Sequence, residues 1–131
     1  MKIRTYAAVA LLLTAALSAA LPAATRAIAE ECGVRDDGRL YCRNTPDIVL
    51  SADAVPNADD TGVLKSDFSW FQCWVDGYPH AGGNNIWYLT KGDEAVAPYR
   101  GWGFLAANHL ATAQDPAPGL RECAKADYDL I

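Results

Sequence analysis

The four cysteines constrain this chain more than any other feature. Cys32, Cys42, Cys73 and Cys123 all lie beyond residue 30, and none of them forms the paired short spacing of a zinc site. Four cysteines in a segment of this size read as two disulfides, with three possible connectivities. The stretch from Cys32 to Cys42 selects one. Asp36-Asp37-Gly38 suits a three-residue hairpin loop, with Gly38 in the left-handed position. That register sets Cys32 directly opposite Cys42 and leaves Cys73 to pair with Cys123. By loop-closure entropy the short bridge is worth about 3 kcal/mol and the long one about 4 kcal/mol. The long one would pin the C-terminal tail to the core.

Disulfides need an oxidising compartment, and the N-terminus reads as a route to one. Lys2 and Arg4 begin a short positive segment, Ala7 to Ala24 form an apolar stretch, and Ala27-Ile28-Ala29 fits the small-x-small rule for signal peptidase. Residues 1–29 therefore read as a secretory signal peptide cut before Glu30. The Ala-rich composition, Pro22 and the cleavage site argue against a membrane anchor. No second apolar run follows, so no membrane association is expected after cleavage, and the protein is expected to be secreted. Three basic residues (Lys2, Arg4, Arg26) leave with the signal and no acidic ones do. The remaining segment holds 8 basic and 16 acidic residues, a net charge of −8. So acidic a segment repels a phosphate backbone, and nucleic acid is not expected as a partner.

Residues 30–45 form the disulfide-linked hairpin. Short strands are expected at Ile48-Val49-Leu50, Val63-Leu64, Phe68 to Val75, Ile86 to Thr90 and Trp102 to Ala106, separated by polar loops at 51–62, 78–85 and 91–100. Ala107 to Leu110 suits a single tight helical turn. Five or six short strands at this spacing predict an all-β chain, with a small barrel over residues 46–112. The tail, residues 113–131, contains Pro116 and Pro118 and reads as irregular, tied back by its disulfide.

Leu50 to about Leu110 resembles the bacterial SH3-like (SH3b) domains. The resemblance rests on Gly62-Val63-Leu64 after a polar loop, on the strand Phe68 to Val75, on Ile86-Trp87-Tyr88-Leu89-Thr90, and on the ending Gly103-Phe104-Leu105 with His109-Leu110. His109 stands where that family usually has an aromatic residue. The chain is also similar to small exported SH3-like proteins of actinobacteria that share Ser69-Trp70-Phe71, Cys73-Trp74, Gly77, His80, Gly82-Gly83-Asn84 and Trp87-Tyr88. The resemblance implies an SH3-like barrel of five to six strands that binds and does not catalyse. Related modules attach enzymes to cell-wall peptides or glycans, or make protein contacts.

The residues themselves also argue against an enzyme. A Cys–His hydrolase needs a free thiol, no G-x-S-x-G occurs, and Glu30, Glu31, Glu94 and Glu122 lie near ends or loops rather than as a positioned pair. Asp53, Asp59 and Asp60 lack the spacing of a calcium loop. His80, His109 and Asp76 are no better as zinc ligands. No metal and no cofactor are expected.

The aromatic residues are the informative set. Ten of the 13 lie between Phe68 and Phe104. Alternation along Phe68 to Val75 puts Phe71, Cys73 and Val75 on a core side, and Trp70 and Trp74 on the other, beneath a loop, the tail or a partner. Trp87 and Tyr88 point to opposite sides, so one of the two is expected to face out. An exposed aromatic patch marks a binding surface. The expected binding residues are Trp70, Trp74, Trp87, Tyr88 and Trp102, with Tyr78, His80, Asn84 and Asn85 supplying polar contacts from the 78–85 loop. The plain alternative for that loop is a turn whose Gly and Asn residues serve backbone geometry. The expected function is a secreted interaction module that binds extracellular proteins as an adaptor or structural subunit of a secreted assembly, such as a toxin or surface complex. The alternatives are a cell-wall (peptidoglycan peptide or glycan) binding module and a secreted hydrolase inhibitor.

Overall fold

The computed structural model describes residues 31–131; the expected signal peptide and its cleavage site lie outside them. The chain is almost entirely β. Nine strands occur among the described residues: β1 (Gly33–Val34), β2 (Leu40–Arg43), β3 (Ile48–Ser51), β4 (Asp60–Leu64), β5 (Phe68–Phe71), β6 (Cys73–Asp76), β7 (Ile86–Lys91), β8 (Glu94–Ala95) and β9 (Trp102–Ala106). A 3-10 turn at Ala107–His109 follows β9, where the sequence predicts a tight helical turn. One α-helical turn, α1 (Lys125–Tyr128), lies in the tail that reads as irregular.

Both disulfides form as the hairpin register requires. Gly33 faces Tyr41 and Val34 faces Leu40, so Cys32 meets Cys42 one step further out. The loop closes with Gly38 N–H donating to the Arg35 carbonyl at 2.8 Å, and Gly38 sits at φ 80°, which a side chain rarely adopts. Cys73 bonds Cys123 across 50 residues.

The strands form two antiparallel sheets. The smaller runs β1-β2-β5 and the larger β6-β7-β9-β3-β4-β8. They meet in the run Phe68 to Asp76, which breaks at Gln72. Before the break β5 pairs with β2; after it β6 pairs with β7. At the break, Gln72 N–H donates to the Leu89 carbonyl at 2.8 Å. No ladder closes either sheet into a ring among the described residues. In place of the expected small barrel stand two open antiparallel sheets, and the outer side of β6 is taken by the tail. Trp74 N–H donates to the Arg121 carbonyl (3.2 Å), and Cys123 N–H donates to the Trp74 carbonyl (2.9 Å).

Two buried clusters lie on either side of β7. One, between the sheets, holds Leu40, Cys42, Leu50, Phe71, Tyr88 and Leu105 and is closed by Ala117 and Leu120 of the tail. The other holds Cys73, Val75, Trp87, Leu89 and Phe104, with Leu130 and Ile131 packed against it. Each side of β7 is therefore covered, which explains its nearly continuous apolar sequence. β4 crosses β9 closely: a Cβ on Gly103 would stand 2.1 Å from the Thr61 hydroxyl, so only glycine fits there.

The two-residue β8 falls in a stretch that reads as loop. It pairs Gly62 with Ala95 and Val63 with Glu94, and so short and acidic an edge carries no apolar pattern.

Candidate binding surface

The hairpin register does more than align cysteines. The buried side of β2 carries Leu40 and Cys42, so Arg39, Tyr41 and Arg43 fall on the outer side. In β5 the buried residues are Ser69 and Phe71, and Phe68 and Trp70 point outward. The ladder pairs Tyr41 with Trp70 and Arg43 with Phe68. The outer face of the small sheet is therefore a checkerboard of arginines and rings.

The cations lie on the rings. The Arg35 guanidinium carbon stands 4.2 Å from the Tyr41 ring centre, and that of Arg39 stands 4.0 Å from Trp70. Arg35 and Arg43 also flank Phe68 at 5.7 and 6.0 Å. Trp102 of β9 meets Trp70 edge to face, with centroids 5.6 Å apart. Each such contact contributes about 0.5–1 kcal/mol at an exposed site, and together they hold long side chains in fixed positions. Asp37 accepts the Tyr41 hydroxyl at 2.5 Å, and its other oxygen accepts the Arg39 N–H at 2.9 Å. The Tyr41 bond, with the Arg39 N–H behind it, holds the Asp37 carboxyl below its ordinary value. Arg43 reaches Asp67 at 3.6 Å, with both side chains half exposed or more. On the tail side of this face, a cleft of about 320 Å³ is lined by Asp37, Gly38, Arg39, Gln72, Gly119 and Arg121.

The expected binding residues do not gather in one place. Trp70 and Trp102 lie together on the arginine-bearing face. The expectation that Trp74 shares an outward side with Trp70 is corrected: beyond the break at Gln72 it pairs with Tyr88 and packs into the cluster between the sheets, under the tail, where its indole N–H donates to the Leu120 carbonyl at 3.0 Å. For Trp87 and Tyr88 the expectation that one faces out is corrected: both are buried. Trp87 lies under the 78–85 loop, where its indole N–H donates to the Tyr78 carbonyl (2.8 Å) and His80 meets it edge to face. Tyr88 lies under the tail. Its hydroxyl donates to Asp115 Oδ1 (2.6 Å) and accepts the Ala117 N–H (2.9 Å). Burial, and then the bond to Asp115, push its hydroxyl above the ordinary tyrosine value.

The loop residues are tied internally. His80 accepts the Gly82 N–H at Nδ1 (3.1 Å), which leaves Nε2 to donate to the Ile86 carbonyl (2.9 Å). Asn84 donates to Asp115 and accepts the Ile86 N–H, and Asn85 donates to Asp76. Gly83 sits at φ 83°. The loop thus has the geometry of a fastened turn, from which Tyr78 projects with 57% of its surface exposed. His109, beside Thr45, is held below its ordinary value by burial and by His80.

Sequence reasoning missed Arg35, Arg39, Tyr41, Arg43 and Gln72. The signal was present in the disulfide argument: a register with Cys32 opposite Cys42 sets Arg35 opposite Arg39 and puts alternate residues of β2 on one side.

Among the described residues, the one group spaced to hold a metal is Cys73, Cys123 and Asp127, and its two sulfurs are bonded to each other. No helix among them is long and apolar enough to cross a membrane. Comparison with known protein families, with curated proteins and with solved structures finds no match.

Proposed function

We propose that the chain is a secreted, non-catalytic interaction module, and that it binds another extracellular protein through the outer face of β2 and β5 as an adaptor or structural subunit of a secreted assembly. The observation that carries this reading is the arginine-on-aromatic array at Arg35, Arg39, Tyr41, Phe68 and Trp70. Rings and arginines are the side chains that dominate protein interfaces, since they bring large contact area and directed donors at low entropic cost. Here the array is rigid before any partner arrives, which lowers the cost of association. Two disulfides suit a protein that works in an oxidising compartment.

The same reading takes residues 46–112 as a divergent SH3-like unit. The succession of short strands and the 3-10 turn after β9 support that assignment. A cell-wall module is the second reading, favoured by the exposed Tyr78 ring, which offers a stacking surface away from the array.

The test is the native size of the tagged protein recovered from its producer's culture supernatant. The expected result is a species larger than the monomer with defined companion chains, lost in Trp70→Ala while the near-ultraviolet spectrum keeps its folded form. A lone monomer that adsorbs to cell-wall material would favour the second reading.

A further inference from the structure

We propose that Arg39 is a carboxylate anchor, and that the partner of the β2–β5 face presents an acidic protein segment to it. This rests on the reading of that face as the binding surface. Arg39 is held on two sides. Its guanidinium lies over Trp70, and its Nε donates to Gln72 Oε1 at 3.0 Å. Among the described residues its two terminal nitrogens make no hydrogen bond or ion pair. An arginine fixed by stacking and by its Nε has already lost most of its rotamer freedom. The terminal N–H pair it retains matches the two oxygens of a carboxylate.

The surroundings favour the same ligand. Arg39 lines the cleft of about 320 Å³ beside the tail, and the other charges there are already matched. Asp37 accepts from the Tyr41 hydroxyl and the Arg39 N–H. Arg121 gives both terminal nitrogens to Asp127, at 2.7 and 2.8 Å. Arg39 is the cleft's charge with no opposite charge bonded to its head group.

The outward positions of β2 and β5, from Arg39 to Gln72, include two arginines and none of the chain's 16 acidic residues. An acidic partner is repelled by most of this protein and accepted here, so the field also sets its orientation. A protein segment suits the face better than an acidic polysaccharide. It can place one or two carboxylates at Arg39 and lay apolar side chains on Phe68 and Trp70. A uniformly charged polymer would run on past the face and meet Asp36 and Asp67.

The experiment is a nitrogen-15 NMR titration of the oxidised protein with acetyl-Glu-Tyr-Glu-amide, and in parallel with its Gln-Tyr-Gln counterpart. The expected result is that the glutamate peptide moves the Arg39 Nε–H and Trp70 indole N–H resonances and the glutamine peptide does not. Affinity should fall at least about tenfold in Arg39→Gln, and similarly when NaCl rises from about 0.05 to about 0.5 M. Arg39→Lys, which keeps the charge without the fork and guards against a folding defect, should restore only a minor part of it.

Equal shifts with both peptides would overturn the proposal, because the rings would then bind without a carboxylate. So would shifts confined to other residues, or binding of polygalacturonate or muropeptides with none of the glutamate peptide. If Arg39→Gln keeps the companion chains that Trp70→Ala loses, the face stands as the binding surface and the carboxylate anchor falls. If the native protein has no companions at all, the adaptor reading itself fails.

Discussion

Trp70 and Trp74 stand four residues apart on one run that breaks between them, and they end on opposite sides of the larger sheet: Trp70 meets Trp102 on the Phe104 side, while Trp74, paired with Tyr88, packs into the cluster between the sheets. Arg39 and Trp102 flank the first, which looks out from an open sheet face. The second lies beneath the tail, bonded through its indole to Leu120 and through its backbone to Arg121 and Cys123. The break at Gln72 therefore decides which side each ring takes, and the tail decides what covers Trp74. The cover for Trp74 comes from residues nearly 50 positions later and is fastened by Cys73–Cys123. Trp70 is the ring the tail does not reach.

The largest effect that tests this contrast is release of the tail. The double variant Cys73→Ser, Cys123→Ser should lose about 4 kcal/mol in urea unfolding, because a 50-residue loop is no longer closed in the unfolded chain. In its folded form Trp74 emission should move to the red while Cys32–Cys42 keeps the Arg39–Trp70 contact. Next in size is the pair of single truncations. Trp74→Ala should cost about 3 kcal/mol, as a ring removed from packed surroundings does, and Trp70→Ala about 1 kcal/mol. Equal losses would erase the distinction between the two rings.

Tyr88→Phe probes the tail from its other end. It leaves the Ala117 N–H without its acceptor, while Asp115 Oδ1 keeps the Thr112 hydroxyl, and the expected loss is about 1–2 kcal/mol, with faster amide exchange in the 112–120 segment and none in β2. The smallest effect is a pH dependence. Arg121 bonds Asp127 and holds its carboxyl below the ordinary value, and the Ala124 N–H adds to this against the cost of burial. A carboxyl lowered on folding stabilises the protein above its unfolded value and loses that contribution as pH falls toward the folded one. Tail protection should therefore hold from neutral pH down to the usual carboxylate range and decline below it, and Asp127→Asn should flatten that decline.

Much of the scaffold was legible in the residues. Asp36-Asp37-Gly38 fixed the hairpin register and with it both disulfides, and the strands at Ile48, Val63, Phe68, Ile86 and Trp102 follow from short apolar and aromatic runs. The break at Gln72 was not legible, because the alternation of buried and half-buried residues runs through it while the buried side changes from one cluster to the other. Burial of both Trp87 and Tyr88 was missed because it depends on two covers, a loop and a tail, whose own sequences are polar and proline-bearing. The arginine face was not legible because its cations come from the hairpin, 25 to 33 residues before the rings of β5 that they meet.

The separation of the two disulfides also sets an order of events in the making of the protein. A chain emerges N-terminus first, and Cys32 and Cys42 can join when 10 intervening steps have appeared. Cys73 must wait as a thiol until residue 123 arrives, 50 residues later. The arginine-bearing hairpin is thus finished early, and the second bond forms only after the whole of the larger sheet has emerged. A product cut short before Cys123 carries an unpaired Cys73 together with an uncapped β6 edge, two marks by which quality control can tell it from the finished protein.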